Sequence, residues 1–95
     1  VLILGFLQAH GPTRARDHLL AQMHRWATAE GWTLGTLYAE TPGSSAFDTL
    51  LSRLKRGEAK GVLIPSIAHL GTDAGARLAL LTEAGVGIYF LAPPP

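Results

Sequence analysis

The sequence predicts a three-layer α/β domain: a four-stranded, mostly parallel sheet with helices on both faces. Two observations predict the class. Short apolar runs alternate with stretches of helical periodicity along the whole chain, and a glycine or proline breaks the pattern at nearly every junction. A third bounds it, because 95 residues, 47% of them hydrophobic, hold one ordered domain and no more.

The elements follow in order. Val1 to Leu7 is an apolar run closed by Gln8 and the breaker pair Gly11-Pro12, which suits a short strand buried on both faces. Thr13 is placed to cap the next helix, whose inward face carries Leu19, Leu20, Met23, Trp26 and Ala27. Gly31 ends it at the left-handed position that a residue without a Cβ adopts freely. Trp32 to Ala39, rich in β-branched and aromatic residues, is a second strand, and Glu40 to Ser44 is a loop. Ser45-Ala46-Phe47-Asp48 has the capping-box spacing, with Asp for the usual Glu. Phe47, Leu50, Leu51 and Leu54 then recur at i, i+3, i+4 and i+7 until Gly57. Gly61 to Ile64 is a third buried strand, stopped by Pro65. A loop from Ser66 to Thr72 leads to a third helix capped by Thr72 or Asp73, with Leu78 and Leu81 inward, and Gly85 stops it. Val86 to Leu91 completes the sheet.

Strand–helix alternation with right-handed crossovers makes the sheet parallel. Ligands of such sheets collect beyond the C-terminal ends of the strands. The loops Gln8 to Pro12, Glu40 to Ser44, Pro65 to Thr72 and Ala92 to Pro95 therefore share one edge, and function belongs there first.

Composition removes several classes. Eight Lys and Arg stand against seven Asp and Glu, so the chain lacks the strongly basic balance of a nucleic-acid binder. Cysteine is absent, which excludes disulfides and thiolate metal sites. No metal or cofactor is implied. No apolar run, Val1 to Leu4 included, is long enough for a membrane span, and the expected location is the cytoplasm. A start at Val1 and a close in Pro93-Pro94-Pro95 read as a piece of a longer protein. Neither Gly11-Pro12 nor Pro42-Gly43 belongs to a P-loop or dinucleotide fingerprint, so both are read as turns.

With the four loops in place the chain resembles the catalytic domain of the serine recombinases, the resolvase and invertase family, over nearly its whole length. The stretches that carry the resemblance are Phe6-Leu7-Gln8-Ala9-His10, at the family's Tyr-x-Arg-x-Ser motif, and Leu19-Leu20-Ala21-Gln22-Met23 on the following helix. Glu40-Thr41-Pro42-Gly43-Ser44-Ser45 stands at the acidic and Ser-Gly loop, and Ile67-Ala68-His69-Leu70-Gly71-Thr72 at the Leu-Asp-Arg-Leu-x-Arg loop. Leu80 to Ile88 keeps the family's helix-Gly-Val-strand rhythm. The resemblance implies a sheet of strand order 2-1-3-4, self-association into a homo-oligomer, and contact with double-stranded DNA through a neighbouring domain.

The framework matches and the chemistry does not. The family attacks a DNA phosphate with a serine and holds it with arginines. Here His10 stands at the nucleophile position and Gln8 at the neighbouring arginine, while Ala68, His69 and Thr72 occupy the Asp-Arg-x-x-Arg positions. The arginine after Ser-Gly is replaced by Ser44, Ser45 and Ala46. Losing one preorganised charge-stabilising donor costs roughly a hundred- to a thousand-fold in rate. The sequence thus points to a catalytically inactive recombinase-like domain with a regulatory or self-association role. Two alternatives remain open at this point: an active strand-exchange domain using Ser44 or Ser66, and a phosphoacceptor or small-ligand domain using His10 and His69.

Two basic clusters are candidates for DNA phosphates, Arg14 and Arg16 at the first helix and Arg53, Lys55 and Arg56 at the end of the second. The plainer reading of both is a solvated face, helped at the second by the helix dipole. Trp26, Trp32, Tyr38, Phe47, Tyr89 and Phe90 are read as core, where aromatic rings bury large area.

Overall fold

The computed structural model describes residues 1–9 and 12–91. The order is β1 (Leu2–Gln8), α1 (Thr13–Ala29), β2 (Thr33–Glu40), α2 (Ala46–Lys55), β3 (Gly61–Ile64), α3 (Ala74–Glu83) and β4 (Gly87–Phe90). A 3₁₀ turn, Ile67–Leu70, lies between β3 and α3. The sheet runs β2-β1-β3-β4, the order that the resemblance implies, and every neighbouring pair is parallel.

Period-two alternation on β1 builds two cores. Leu4 and Phe6 point to one face, where α2 contributes Phe47, Leu50, Leu51 and Leu54 and α3 contributes Leu81. Ile3 and Leu7 point to the other, where α1 supplies Met23 and Ala27. All four apolar residues of the α2 stripe are buried, because a 3.6-residue period set over a flat sheet leaves none of them outside. The aromatic expectation holds only in part. Phe47 is buried edge-on against Phe6, with centroids 5.6 Å apart. Trp26, Trp32 and Tyr89 form a half-buried trio on the α1 face, Trp32 and Tyr89 packing edge-on at 4.6 Å.

β2 carries the irregularity that matters for the site. Ile3 pairs with Leu34 but Gly5 pairs with Leu37, so β2 spends one extra residue opposite β1. A bulge of this kind reverses which parity faces which side. Leu34 and Leu37 both join the α1 core, whereas Tyr38 packs with the α2 and α3 core. Glu40, two residues on from Tyr38, follows it to that side. Gly35 sits in the bulge, and a Cβ there would come within 2.9 Å of Leu2.

The helix ends correct one expectation and refine two. Pro12, not Thr13, occupies the N-cap of α1, and Thr13 is already helical. Pro12 is extended at φ −63°, ψ 142°, values its ring favours. Ser45 does hold the N-cap of α2, but its side chain makes no capping bond. One residue earlier, Ser44 Oγ accepts the N–H groups of Thr41 at 3.2 Å and Ala46 at 3.5 Å. Asp73 is the N-cap of α3, again with no side-chain bond. The glycine stops stand as predicted, with Gly31, Gly57 and Gly85 all at φ near +76°.

Candidate functional site

Because the strands are parallel and helices return between them, the C-terminal strand ends and the start of each helix gather on one edge. Gln8 closes β1, Glu40 closes β2 directly beside it, and Gln8 and Glu40 are register partners. Both lie on the α2 and α3 side, Glu40 because of the bulge. Arg77, one turn into α3, reaches across to them.

The three side chains form a connected polar cluster. Arg77 donates to Glu40 through two nitrogens, Nη1 to Oε1 and Nη2 to Oε2, each at 2.8 Å. This is the bidentate fork that a planar guanidinium makes best. Arg77 Nη1 also donates to the carbonyl of Leu70 at 3.2 Å. Its guanidinium lies over the Phe47 ring, 4.5 Å from the centroid, and 5.8 Å from that of Phe6. Gln8 Nε2 donates to Glu40 Oε1 at 2.6 Å and to the carbonyl of His69 at 3.0 Å. The backbone N–H of Gln8 donates to His69 Nδ1 at 3.0 Å. An accepting Nδ1 carries no proton, which fixes the ring as the neutral tautomer protonated at Nε2.

The cluster is mostly enclosed, with side-chain exposures of 14% for Glu40 and 23% for Arg77. The Glu40 carboxyl is held below its ordinary value. Hydrogen bonds from Arg77 are the largest cause, burial pushes partly back, and Gln8 and the charge of Arg77 add to the lowering. Arg77 is raised, first by Glu40 and, after burial takes a part back, by the fields of Glu40, Asp73 and Asp48. The charge of the guanidinium is thus met by carboxylates of the protein itself, Glu40 first.

Two openings flank this wall. The larger, about 370 Å³, is lined by Gln8, Ala9, Glu40, Thr41 to Ser44 and Arg77. The smaller, about 170 Å³, lies between the same three polar side chains and the Leu70 to Asp73 segment. No group of His, Asp or Glu among the described residues is placed to hold a metal ion. No described helix is long and apolar enough to cross a membrane.

The structure sorts the residues singled out from the sequence. Gln8 and His69 come together in the cluster, Thr72 lines the smaller opening, and Ala68 is exposed on the 3₁₀ turn. His10, and with it Gly11 and the stretch 92–95, lies outside the described residues. Ser44 lines the larger opening, while Ser66 precedes the 3₁₀ turn. Arg14 and Arg16 stand on the first turn of α1, at the strand-end edge, and their side chains make no hydrogen bond or ion pair with a described residue.

The second basic cluster sits at the far end of α2, away from the site. Arg53 donates to Glu58 at 3.0 Å, Thr36 Oγ1 at 2.8 Å and the Tyr38 hydroxyl at 3.0 Å. Arg56 also pairs with Glu58, and the exposed Lys55 makes no side-chain hydrogen bond or ion pair with a described residue.

Arg77 and the pairing role of Glu40 escape a sequence reading. A signal was present. Arg77 follows one turn after the start of a helix with no acid in its first turn, where the helix dipole disfavours a cation. A cation placed there needs a partner from elsewhere in the fold.

Comparison with solved structures identifies the fold. The chain superposes on the C-terminal catalytic domain of ISC1926 TnpA, an IS607-like serine recombinase, with TM-score 0.81 and 14% identity, covering 99% of this chain and 72% of that one. A resolvase family site-specific recombinase from Streptococcus pneumoniae gives 0.78 at 12% identity, covering 96% and 72%. The N-terminal catalytic domain of TP901-1 integrase gives 0.76 at 13% identity, covering 96% and 77%. The chain has the fold of the serine recombinase catalytic domain. No protein-family profile matches the sequence, and no curated protein does.

Proposed function

We propose that this chain is a catalytically inactive serine-recombinase-like domain, serving as a self-association and regulatory module in a DNA-associated protein. The observation that supports it is the condition of Arg77. Transfer of a DNA phosphoryl group needs a hydroxyl nucleophile and guanidinium groups free to receive charge as it develops. At the strand-end cluster the one guanidinium is committed to Glu40 through both forks, and its neighbours are an amide and a neutral imidazole. A phosphodiester brought there meets a closed ion pair, with Asp73 alongside. Arg14 and Arg16, uncommitted on the same edge, are the residues we assign to contact with DNA phosphate, a role that positions without cleaving.

The test is a cleavage trap followed by a binding titration. Incubation with a nicked or mismatched duplex and separation under denaturing conditions is expected to show no covalent protein–DNA adduct. Sedimentation velocity is expected to show reversible self-association. Anisotropy against a labelled duplex is expected to show weak binding that falls linearly in log salt and weakens further in Arg14→Ala/Arg16→Ala. An adduct formed by the wild type and lost in Ser44→Ala would overturn the reading and name Ser44 as a relocated nucleophile.

A further inference from the structure

We propose that Glu40 is an internal anion that closes a latent oxyanion site on Arg77. Carboxylates and tetrahedral oxyanions present the same paired oxygens to a guanidinium, so what occupies the fork decides what else can bind. Here the occupant comes from the protein itself. Glu40 Oε1 and Oε2 take Nη1 and Nη2 of Arg77 at equal distance, the geometry a phosphoryl or sulfuryl group would adopt. Arg77 is held independently of that carboxylate, by the Leu70 carbonyl and by the face of Phe47. Removing the carboxylate therefore leaves a positioned guanidinium, not a collapsed one.

Space for a replacement anion exists on the side where Glu40, Arg77 and Ser44 share the larger opening. Glu40 is the last residue of β2 and runs straight into the Thr41 to Ser44 turn, which contains Gly43 at φ +78°. A partner that draws this turn outward would take Glu40 with it and expose the fork. Asp73 and Asp48 oppose any incoming anion, the more so the higher its charge, so the ligand class is set by the fork itself: a compact tetrahedral oxyanion with two free oxygens to match the two guanidinium nitrogens. The inference rests on the reading that the site is silent as it stands, and adds that its silence comes from one removable side chain.

Inorganic phosphate near pH 8 is the probe, titrated into the wild type, Glu40→Gln and Glu40→Gln/Arg77→Met, and followed by amide and arginine Nε–H resonances. Gln keeps the shape and the contact with Gln8 while removing the charge. Glu40→Gln is expected to bind phosphate at least about tenfold more tightly than the wild type, with shifts at Arg77, Gly43 and Ser44, and the double variant to return to wild-type behaviour. Adding Asp73→Asn to Glu40→Gln is expected to tighten binding again. Equal binding by wild type and Glu40→Gln, or tight binding that survives loss of Arg77, overturns the proposal. If Glu40→Gln does not fold in chloride, phosphate at matched ionic strength must restore its helical signal, since a ligand of the native state stabilises it. No recovery also overturns it. Either failure leaves the absence of a DNA adduct untouched, so this proposal and the functional reading fail separately.

Discussion

Two arginines serve the same face of β2 and do so in different surroundings. Arg77, from α3, takes Glu40 in a fork that is mostly enclosed and backed by an aromatic ring. Arg53, from α2, takes Thr36, Tyr38 and Glu58, and shares Glu58 with Arg56 at the open end of the helix. One cluster joins residues 37 apart in sequence across three elements, whereas the Arg53–Glu58 pair spans five residues at a helix end. Hydrogen-bond chemistry is alike in both. The two arginines are equally exposed, at 23%; what differs is the acid, 14% exposed for Glu40 and 39% for Glu58, and the water around the acid decides how much each pair contributes.

The largest test removes the floor beneath one of them. Phe47→Ala takes away a buried ring that packs on Phe6 and lies under Arg77, and should cost about 3–5 kcal/mol in denaturant unfolding. Tyr38→Phe, which removes only the hydroxyl that Arg53 reaches, should move the midpoint far less. Next in size is Arg77→Met. It leaves the Glu40 carboxylate half-enclosed with Gln8 as its remaining partner, at a cost of about 2–4 kcal/mol. Arg53→Met should shift the thermal midpoint less, because the carboxylate it leaves behind, Glu58, is exposed and can be solvated. If the two arginine variants prove equally costly, enclosure is not what separates the clusters. Glu40→Gln/Arg77→Met should recover part of the Arg77→Met loss, since it removes the stranded charge as well.

The contrast also explains what the sequence discloses. Phe47, Leu50, Leu51 and Leu54 are legible because helical periodicity is local, and all four are buried as their spacing requires. The glycine stops at Gly31, Gly57 and Gly85 are legible for the same reason, each depending on a few neighbouring residues, whereas the strand order followed from the family resemblance and not from any local pattern. The site was legible only in place. The strand-end edge follows from topology, and Gln8 and His69 meet there, yet the pair that governs its charge does not show in any local pattern. Glu40 reads as the first residue of a loop, and its side depends on a one-residue bulge at Gly35 and Thr36 that alternation alone does not reveal. A glycine inside a β-branched run is the trace such a bulge leaves. Ser45 holds the N-cap of α2 as its pattern predicts, but the hydroxyl that reaches free N–H groups there belongs to its neighbour Ser44, a choice between two residues of the same chemistry that the pattern does not make.

Acid sharpens the comparison further. The carboxyl of Glu40 is held below the ordinary value of 4.5, so its pairing stabilises the fold fully above that value and is lost as pH falls through the lower, folded value. Unfolding midpoints measured from pH 6 downward should therefore decline in the wild type below about pH 4.5, and decline less in Glu40→Gln. Glu58 is lowered in the same direction by Arg56 and then Arg53, but it is solvent-exposed, and Glu58→Gln should leave the acid limb nearly unchanged. An acid limb that flattens in Glu58→Gln and not in Glu40→Gln would reverse the ranking of the two clusters.

The smallest expected effect separates them by screening alone. At 1 M salt the Debye length falls to about 3 Å, down to the contact distances of the Arg53, Arg56 and Glu58 cluster itself. The Arg53, Arg56 and Glu58 cluster, open to solvent, should lose its contribution between 0.05 and 1 M sodium chloride, so Arg53→Met and the wild type should converge in stability. Arg77 and Glu40 exclude most ions from the space between them, and phenylalanine closes one side of the guanidinium. The gap between Arg77→Met and the wild type should persist across the same range. Convergence of both pairs would mean that solvent reaches the enclosed fork as freely as the open one. In that case the proposal that Glu40 guards a closed site would lose its electrostatic basis, because an ion already admitted to the fork needs no release.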